Sequence, residues 1–238
     1  MSIALITFPG SNCDRDCLHV MRNVVGAPTH AVFHKDTDLG DCTGVLVPGG
    51  FSYGDYLRAG ALAKISPIMP AIRRFADVGG PVLGICNGFQ ILCEAGLLPG
   101  ALMLNSKLQF ISRWVGLRVE NSDTLYTRSL WHGQVLRMPM AHAEGNFTAD
   151  AETLAAIVAH QQIVFKYVEP VRFDAPEGNP NGSTLSIAGI TNRAGNVLGM
   201  MPHPDRAAEE ILGSTDGLPI MRAFAEAASA SARIEHSY

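Results

Sequence analysis

Residues 81–90, Pro-Val-Leu-Gly-Ile-Cys-Asn-Gly-Phe-Gln, constrain this chain more than any other stretch. An apolar run reaches a G-x-C-x-G turn and passes directly into a helical pattern at Phe89-Gln90-Ile91-Leu92. A strand that feeds a helix through so short a turn forms an elbow, and small flanking residues let the two elements pass close together. Gly84 and Gly88 supply the small residues, which leaves Cys86 at the apex. A cysteine at a helix N-terminus meets unpaired amide N–H groups and the positive end of the helix dipole, and both favour the thiolate. A lone cysteine is more often a small buried hydrophobe. With glycines on both sides after a strand, a nucleophile is the better reading.

The segments around the elbow set the fold class. Ile3–Phe8, Thr29–Phe33, Val45–Val47 and Pro81–Ile85 read as strands, and Cys13–Val25 and Ser66–Val78 as helices, with Pro67 in a first turn. Strands that are apolar throughout and alternate with helices imply a parallel sheet covered on both faces. The second half changes character. Phe110–Val119, Gln134–Met140 and Gln162–Val168 read as strands joined without long helices. Leu185–Thr191 and Val197–Met201 flank a polar turn and read as a hairpin. Ala207–Leu212 and Pro219–Ala232 read as helices. No internal repeat or linker divides the chain, so the expectation is one α/β domain over residues 1–238 with a mixed sheet.

Composition narrows the function. The chain is 47% hydrophobic with a formal net charge of −4, and it has no basic run to serve a nucleic acid. No apolar stretch is long enough to span a bilayer, and Met1–Ile6 reads as a strand rather than a signal peptide. Five cysteines, an odd number, make a complete disulfide framework improbable, and a reducing cytoplasm is the expected compartment. Cys13, Cys17, Cys42 and Cys93 follow no zinc-ligand spacing, so no metal is expected. Neither a G-x-x-x-x-G-K-[ST] loop nor a G-x-G-x-x-G turn is present, so the chain carries no recognised nucleotide motif.

A nucleophilic sulfur needs a base, and the base needs an orienting group. Of eight histidines, His203 is best placed, in Met201-Pro202-His203-Pro204-Asp205 after an apolar strand. The prolines impose extended geometry on the residues before them, which puts His203 and Asp205 on one side of the chain. Asp205 suits two roles equally: orienting the imidazole, or capping a helix over Arg206–Leu212. Oxyanion donors are also required. The N–H of Asn87 is one candidate and Gly49-Gly50, after the third strand, offers a second. The loop Phe51-Ser52-Tyr53-Gly54-Asp55-Tyr56-Leu57-Arg58 that follows reads as a binding loop, because ligands of open α/β sheets collect at strand C-terminal ends.

Together these segments resemble the class I glutamine amidotransferases. The match is closer to the free-standing glutaminase subunits of phosphoribosylformylglycinamidine synthases. It rests on Phe8-Pro9-Gly10-Ser11-Asn12-Cys13-Asp14, the stretch from Pro48 to Gly60, Gly84–Gln90, Ala141-His142-Ala143-Glu144-Gly145, and Gly199–Pro204. The resemblance implies a flavodoxin-like fold, a mostly parallel central sheet between helices with additional antiparallel strands. It implies that Cys86 attacks the amide of L-glutamine, that His203 and Asp205 complete a triad, and that Gly50 and Asn87 form the oxyanion hole. It further places Gln90, His142 and Glu144 at the substrate. The chain itself would need no cofactor. Its ammonia would pass to a large synthetase subunit holding ATP and Mg, with a small third subunit bridging the assembly.

Two positions depart from the family pattern. Asp205 stands where glutamate is usual, which shortens the reach to His203 by about 1.4 Å. Ala143 stands where glycine is usual. The alternatives are a cysteine-elbow hydrolase acting alone, which the Pro48–Asp55 loop speaks against, and a regulatory subunit with an inactive triad, which Asp205 keeps open.

Overall fold

Apolar strands separated by helices do assemble here into a parallel sheet, and the antiparallel half continues the same sheet. The architecture comes from a computed structural model that describes residues 2–169 and 178–235. In chain order the elements are β1 (Ser2–Thr7), α1 (Asp14–His19), β2 (Thr29–Phe33), β3 (Cys42–Val47), α2 (Met69–Asp77), β4 (Val82–Ile85), α3 (Asn87–Glu94) and β5 (Ala101–Leu104). They continue with β6 (Ile111–Val119), β7 (Val135–His142), β8 (Glu144–Thr148), α4 (Ala151–Ala159), β9 (Ile163–Val168), β10 (Ile187–Thr191), β11 (Val197–Met200) and α5 (Leu218–Glu235).

Nine strands form one sheet in the order β2-β1-β3-β4-β11-β10-β9-β6-β7. Pairing is parallel from β2 to β11 and antiparallel from β11 to β7. Because β2 and β3 lie on opposite sides of β1, a crevice opens at the C-terminal ends of the parallel strands. Cys86 follows β4 there, Gly49 and Gly50 follow β3, and His203 follows β11. The central strands are buried on both faces through Ala4, Leu5, Ile6, Val45, Leu46, Val47, Val82, Leu83, Val197 and Leu198, as their unbroken apolar sequence requires. Among the described residues no helix is long and apolar enough to cross a membrane.

The structure changes several expected boundaries. The helix expected over Cys13–Val25 begins at Asp14, widens into π-type turns across Val20–Val25 and stops at Gly26, where φ is +79°. The helix expected from Ser66 starts at Met69 instead. Ser66 is extended, with ψ 145°, as a residue before proline prefers. The expected helix over Ala207–Leu212 is absent. Only single 3₁₀ turns form, at Pro204–Arg206 and Glu210–Leu212, so Asp205 caps no α-helix. Missing from the sequence reading altogether are α4 and the two-stranded β5–β8 sheet, whose strands are short and only partly apolar.

A buried tyrosine pins the strand that carries the elbow. The Tyr126 hydroxyl lies within hydrogen-bonding distance of Val82 O (2.8 Å), Asn196 O (2.6 Å) and Val82 N (3.1 Å). It therefore joins β4 to the turn before β11. Tyr126→Phe leaves these groups short of a partner in a fully buried site. The variant is expected to lose about 1–3 kcal/mol of unfolding free energy with an unchanged m-value, measured by urea denaturation.

Candidate active site

At the elbow, Cys86 has φ 51° and ψ −107°, a conformation that a non-glycine residue holds only under constraint. The constraint is visible. A methyl group on Gly88 would lie 2.0 Å from the Val47 carbonyl oxygen, and one on Gly84 2.9 Å from the Gly88 backbone. Only glycine at both positions lets α3 leave β4 this steeply beside β3. The Cys86 N–H is fixed by Met200 O on β11 at 2.8 Å, and the thiol reaches Ala141 O at 3.6 Å. The sulfur thus sits at the amino end of α3, whose first N–H groups have no intrahelical acceptor.

His203 approaches from β11. Its backbone is extended, with φ −101° and ψ 97°, and its N–H donates to Pro139 O at 2.8 Å. A methyl group on Gly49 would lie 2.8 Å from His203 Cε1, 3.1 Å from Cys13 Sγ and 3.4 Å from Cys86 Cβ. The missing side chain of Gly49 is therefore what lets the imidazole and the sulfur share one small space. On the other side of the ring, Asp205 Oδ1 lies 3.2 Å from His203 Nδ1, at the long end of the normal range. The shorter carboxylate reaches the ring, with a lengthened bond. Both residues are almost wholly buried. Burial by itself would lower the imidazole pKa, but the Asp205 carboxylate and the Cys86 sulfur overcome it and hold His203 up to about 10.

Of the remaining expected residues, Gly50, Gln90, His142 and Glu144 line a cavity of about 300 Å³ together with Phe51, Asp55, Cys86, Ala141 and Ala143, whereas Asn87 does not. A larger cavity of about 600 Å³ lies between residues 25–28 and α5, but among the described residues no cysteine or histidine lines it. Gly50 has φ +143°, and a methyl there would meet Ser11 Cα and Asn12 N at 2.8 Å. Gln90 lines the cavity with its amide already engaged. Its Nε2 donates to Glu144 O, and its Oε1 accepts from Asn87 Nδ2 at 2.9 Å. Asn87 Oδ1 in turn accepts from Ser52 N at 3.1 Å, so α3 ties the glycine-rich loop to the start of β8. Glu144 Oε2 accepts from Ala59 N at 3.0 Å.

His142 is buried and pushed down to about 3, first by burial and then by His203 nearby. Asn105 Oδ1 accepts from Gly145 N and faces His142 Nδ1, both at 3.1 Å, so Nδ1 carries the proton of a neutral ring. Gly145 leaves room for that ring, because a methyl there would fall 2.1 Å from His142 Cε1. Ala143 has no positive φ, so its methyl group sits without backbone strain.

Sequence reasoning missed Cys13, Arg206 and Asn105. Arg206 donates to Cys13 Sγ at 3.1 Å and to Asp16 Oδ2 at 3.0 Å, which anchors the His203 segment to α1. No local pattern signals this, because 193 residues separate Arg206 from Cys13. Donor atoms of Cys13, His203 and Asp205 lie within 4.8 Å of one another. The Arg206 guanidinium on the sulfur opposes a second cation there. Burial, with the Asp205 carboxylate next, pushes the Cys13 thiol up to about 12.

A family model described as a CobB/CobQ-like glutamine amidotransferase domain matches residues 1–228. A phosphoribosylformylglycinamidine synthase subunit PurQ from Moorella thermoacetica is 54% identical over 95% of this chain and 96% of the relative. The PurQ subunit of Gloeobacter violaceus is 51% identical over 97% and 99%. A chain in the structure of PurLQS from Thermotoga maritima superposes with a TM-score of 0.84 at 40% identity, covering 94% of this chain and 97% of that one. With an elbow cysteine, a buried histidine–aspartate pair and near end-to-end likeness, the chain belongs to the PurQ family, the glutamine amidotransferase subunits of phosphoribosylformylglycinamidine synthase.

Proposed function

We propose that Cys86 attacks the side-chain amide carbon of L-glutamine, supplying ammonia for conversion of formylglycinamide ribonucleotide to formylglycinamidine ribonucleotide in purine biosynthesis. The observation that carries this reading is the strained Cys86 sulfur facing the buried His203–Asp205 pair across Gly49. A sulfur–carbon bond forms and the amide carbonyl becomes an oxyanion. The N–H groups of Gly50 and Asn87 receive that charge, one beside the cavity and one at the start of α3. The carbon–nitrogen bond then breaks, with His203 giving its proton to the departing nitrogen. Water, losing its proton to His203, cleaves the glutamyl thioester to glutamate and frees the sulfur, which leaves His203 protonated as it began. Asp205 holds the ring in one tautomer, while Gln90, His142 and Glu144 form the wall against which glutamine lies.

The continuous nine-stranded sheet supports reading residues 1–238 as one domain. Ammonia passes to a large synthetase subunit that binds ATP and Mg, and a small subunit bridges the two. The assembly named for the Thermotoga maritima neighbour supports this division. Five free, buried cysteines fit a reducing cytoplasm.

Two experiments test the chemistry. Cys86→Ala should abolish glutamine-dependent synthesis in the reconstituted complex while added ammonium salts still support it. Glutamine-dependent turnover in that variant would reject the assignment. Asp205→Asn should lower the glutaminase rate about tenfold, since a sulfur nucleophile depends less on the third member than an alkoxide does. The same variant reports on stability. Because the folded pKa of His203 is raised, its contribution is fully present below the unfolded value near 6.5 and is lost as pH rises through about 10. Melting temperatures followed from pH 6.5 to 8.5 should fall in the wild-type chain and fall less in Asp205→Asn. Parallel curves would remove the ion pair from the account.

A further inference from the structure

One group in the substrate cavity is left unused by the mechanism above. Asp55 lines the same cavity as Cys86 and Gln90, and its Oδ1 atom is buried without a hydrogen-bond partner. Burial, and then the Glu144 carboxylate beside it, push Asp55 up to about 6. Among the described residues, no lysine or arginine lines the cavity. The neighbouring Arg58 guanidinium is engaged by Glu94 at 2.5 Å. Glu144 already accepts the Ala59 N–H, whereas Asp55 keeps an oxygen open. A sheltered carboxylate beside a second one holds its charge at a cost, which a proton or an arriving cation relieves.

The backbone holds Asp55 in this position against its own preference. Tyr53, Gly54 and Asp55 follow one another at φ 54°, 69° and 50°, a left-handed run that side chains resist. Rigid neighbours enforce it. Tyr53 N donates to Pro9 O at 2.6 Å, and its hydroxyl meets His34 Nδ1 at 2.8 Å and Ser66 Oγ at 2.9 Å. Phe51 N donates to Gly10 O at 2.9 Å. Strain of this kind persists where the surroundings over-determine it, and it clusters at ligand clamps.

We propose that Asp55 is the seat of the substrate's α-ammonium group, with Glu144 supplying a second negative charge beside it. The assignment rests on L-glutamine being the substrate and adds a specificity determinant to that reading. A cavity built this way rejects an otherwise identical amide without the amino group, because the buried Oδ1 of Asp55 then stays unpaired.

The test compares L-glutamine with 5-amino-5-oxopentanoate, the same molecule lacking the α-amino group, in the complex assembled with its synthetase partners. The wild type should prefer L-glutamine strongly in kcat/KM. Asp55→Asn, nearly isosteric and tolerant of the left-handed backbone, should raise the KM for L-glutamine about ten- to hundredfold with kcat within about threefold. The preference over the deaminated amide should largely vanish, and Asp55→Glu should restore part of it. An undiminished preference in Asp55→Asn, a fall in kcat with KM unchanged, or equal handling of both amides by the wild type would overturn the proposal. Should the wild type hydrolyse no glutamine at all, the glutaminase reading itself fails, an outcome distinct from these.

Discussion

Everything at this site depends on how closely three backbones approach one another. The Val47 carbonyl of β3 faces Gly88 of α3 with no room for a single added carbon. Gly84 faces the same helix turn from β4. That close approach turns Cys86 into its positive-φ conformation and lifts the sulfur above the sheet. At the end of β3, Gly49 leaves the gap into which His203 reaches. The Cys86 sulfur and the His203 ring are therefore held by steric exclusion between rigid strands, and flexible side chains have little part in it. Such placement lowers the cost of bringing the two groups together, because little conformational freedom remains to be lost.

Electrostatics then acts on a frame already built. His203 is buried deeply enough that loss of solvation alone would strip its proton, yet a carboxylate on one side and the sulfur on the other keep it. His142, close by and equally enclosed, has no such partners and stays neutral. Two histidines a short distance apart thus hold different charge states for a readable reason. Arg206, bridging Cys13 and Asp16, ties the segment bearing His203 to α1 and adds a positive charge near the carboxylate. The cavity wall is braced in a similar way, through the links from Ser52 to Asn87, Gln90 and the Glu144 backbone. The elbow and the cavity loops therefore share one helix, α3, as their common anchor.

Much of this was legible in the linear order of residues, for local reasons. The glycine–cysteine–glycine spacing, the apolar runs feeding it and the proline-bracketed His203 are short-range patterns whose geometry follows from φ restrictions and side-chain size. The parallel half of the sheet was readable because strands buried on both faces carry nothing but apolar residues. Errors arose where local and tertiary preferences diverge. Residues 207–212 have a helical appearance, but the Asp205 side chain turns back to His203 and the backbone there closes only into isolated 3₁₀ turns. The β5–β8 pair was missed because its short strands are stable only against each other and the core beneath.

The amino-acid sequence alone determined the cysteine at the elbow, the small residues that flank it and the alternation that makes a parallel sheet. Those properties need only neighbours along the chain. Tertiary structure decided that Asp205 reaches the imidazole despite its shorter side chain, that Cys13 and Arg206 stand behind it, and that Asp55 keeps an open oxygen inside the cavity. Each of these depends on distances between segments far apart in sequence, and such distances come into being only when the core closes around them.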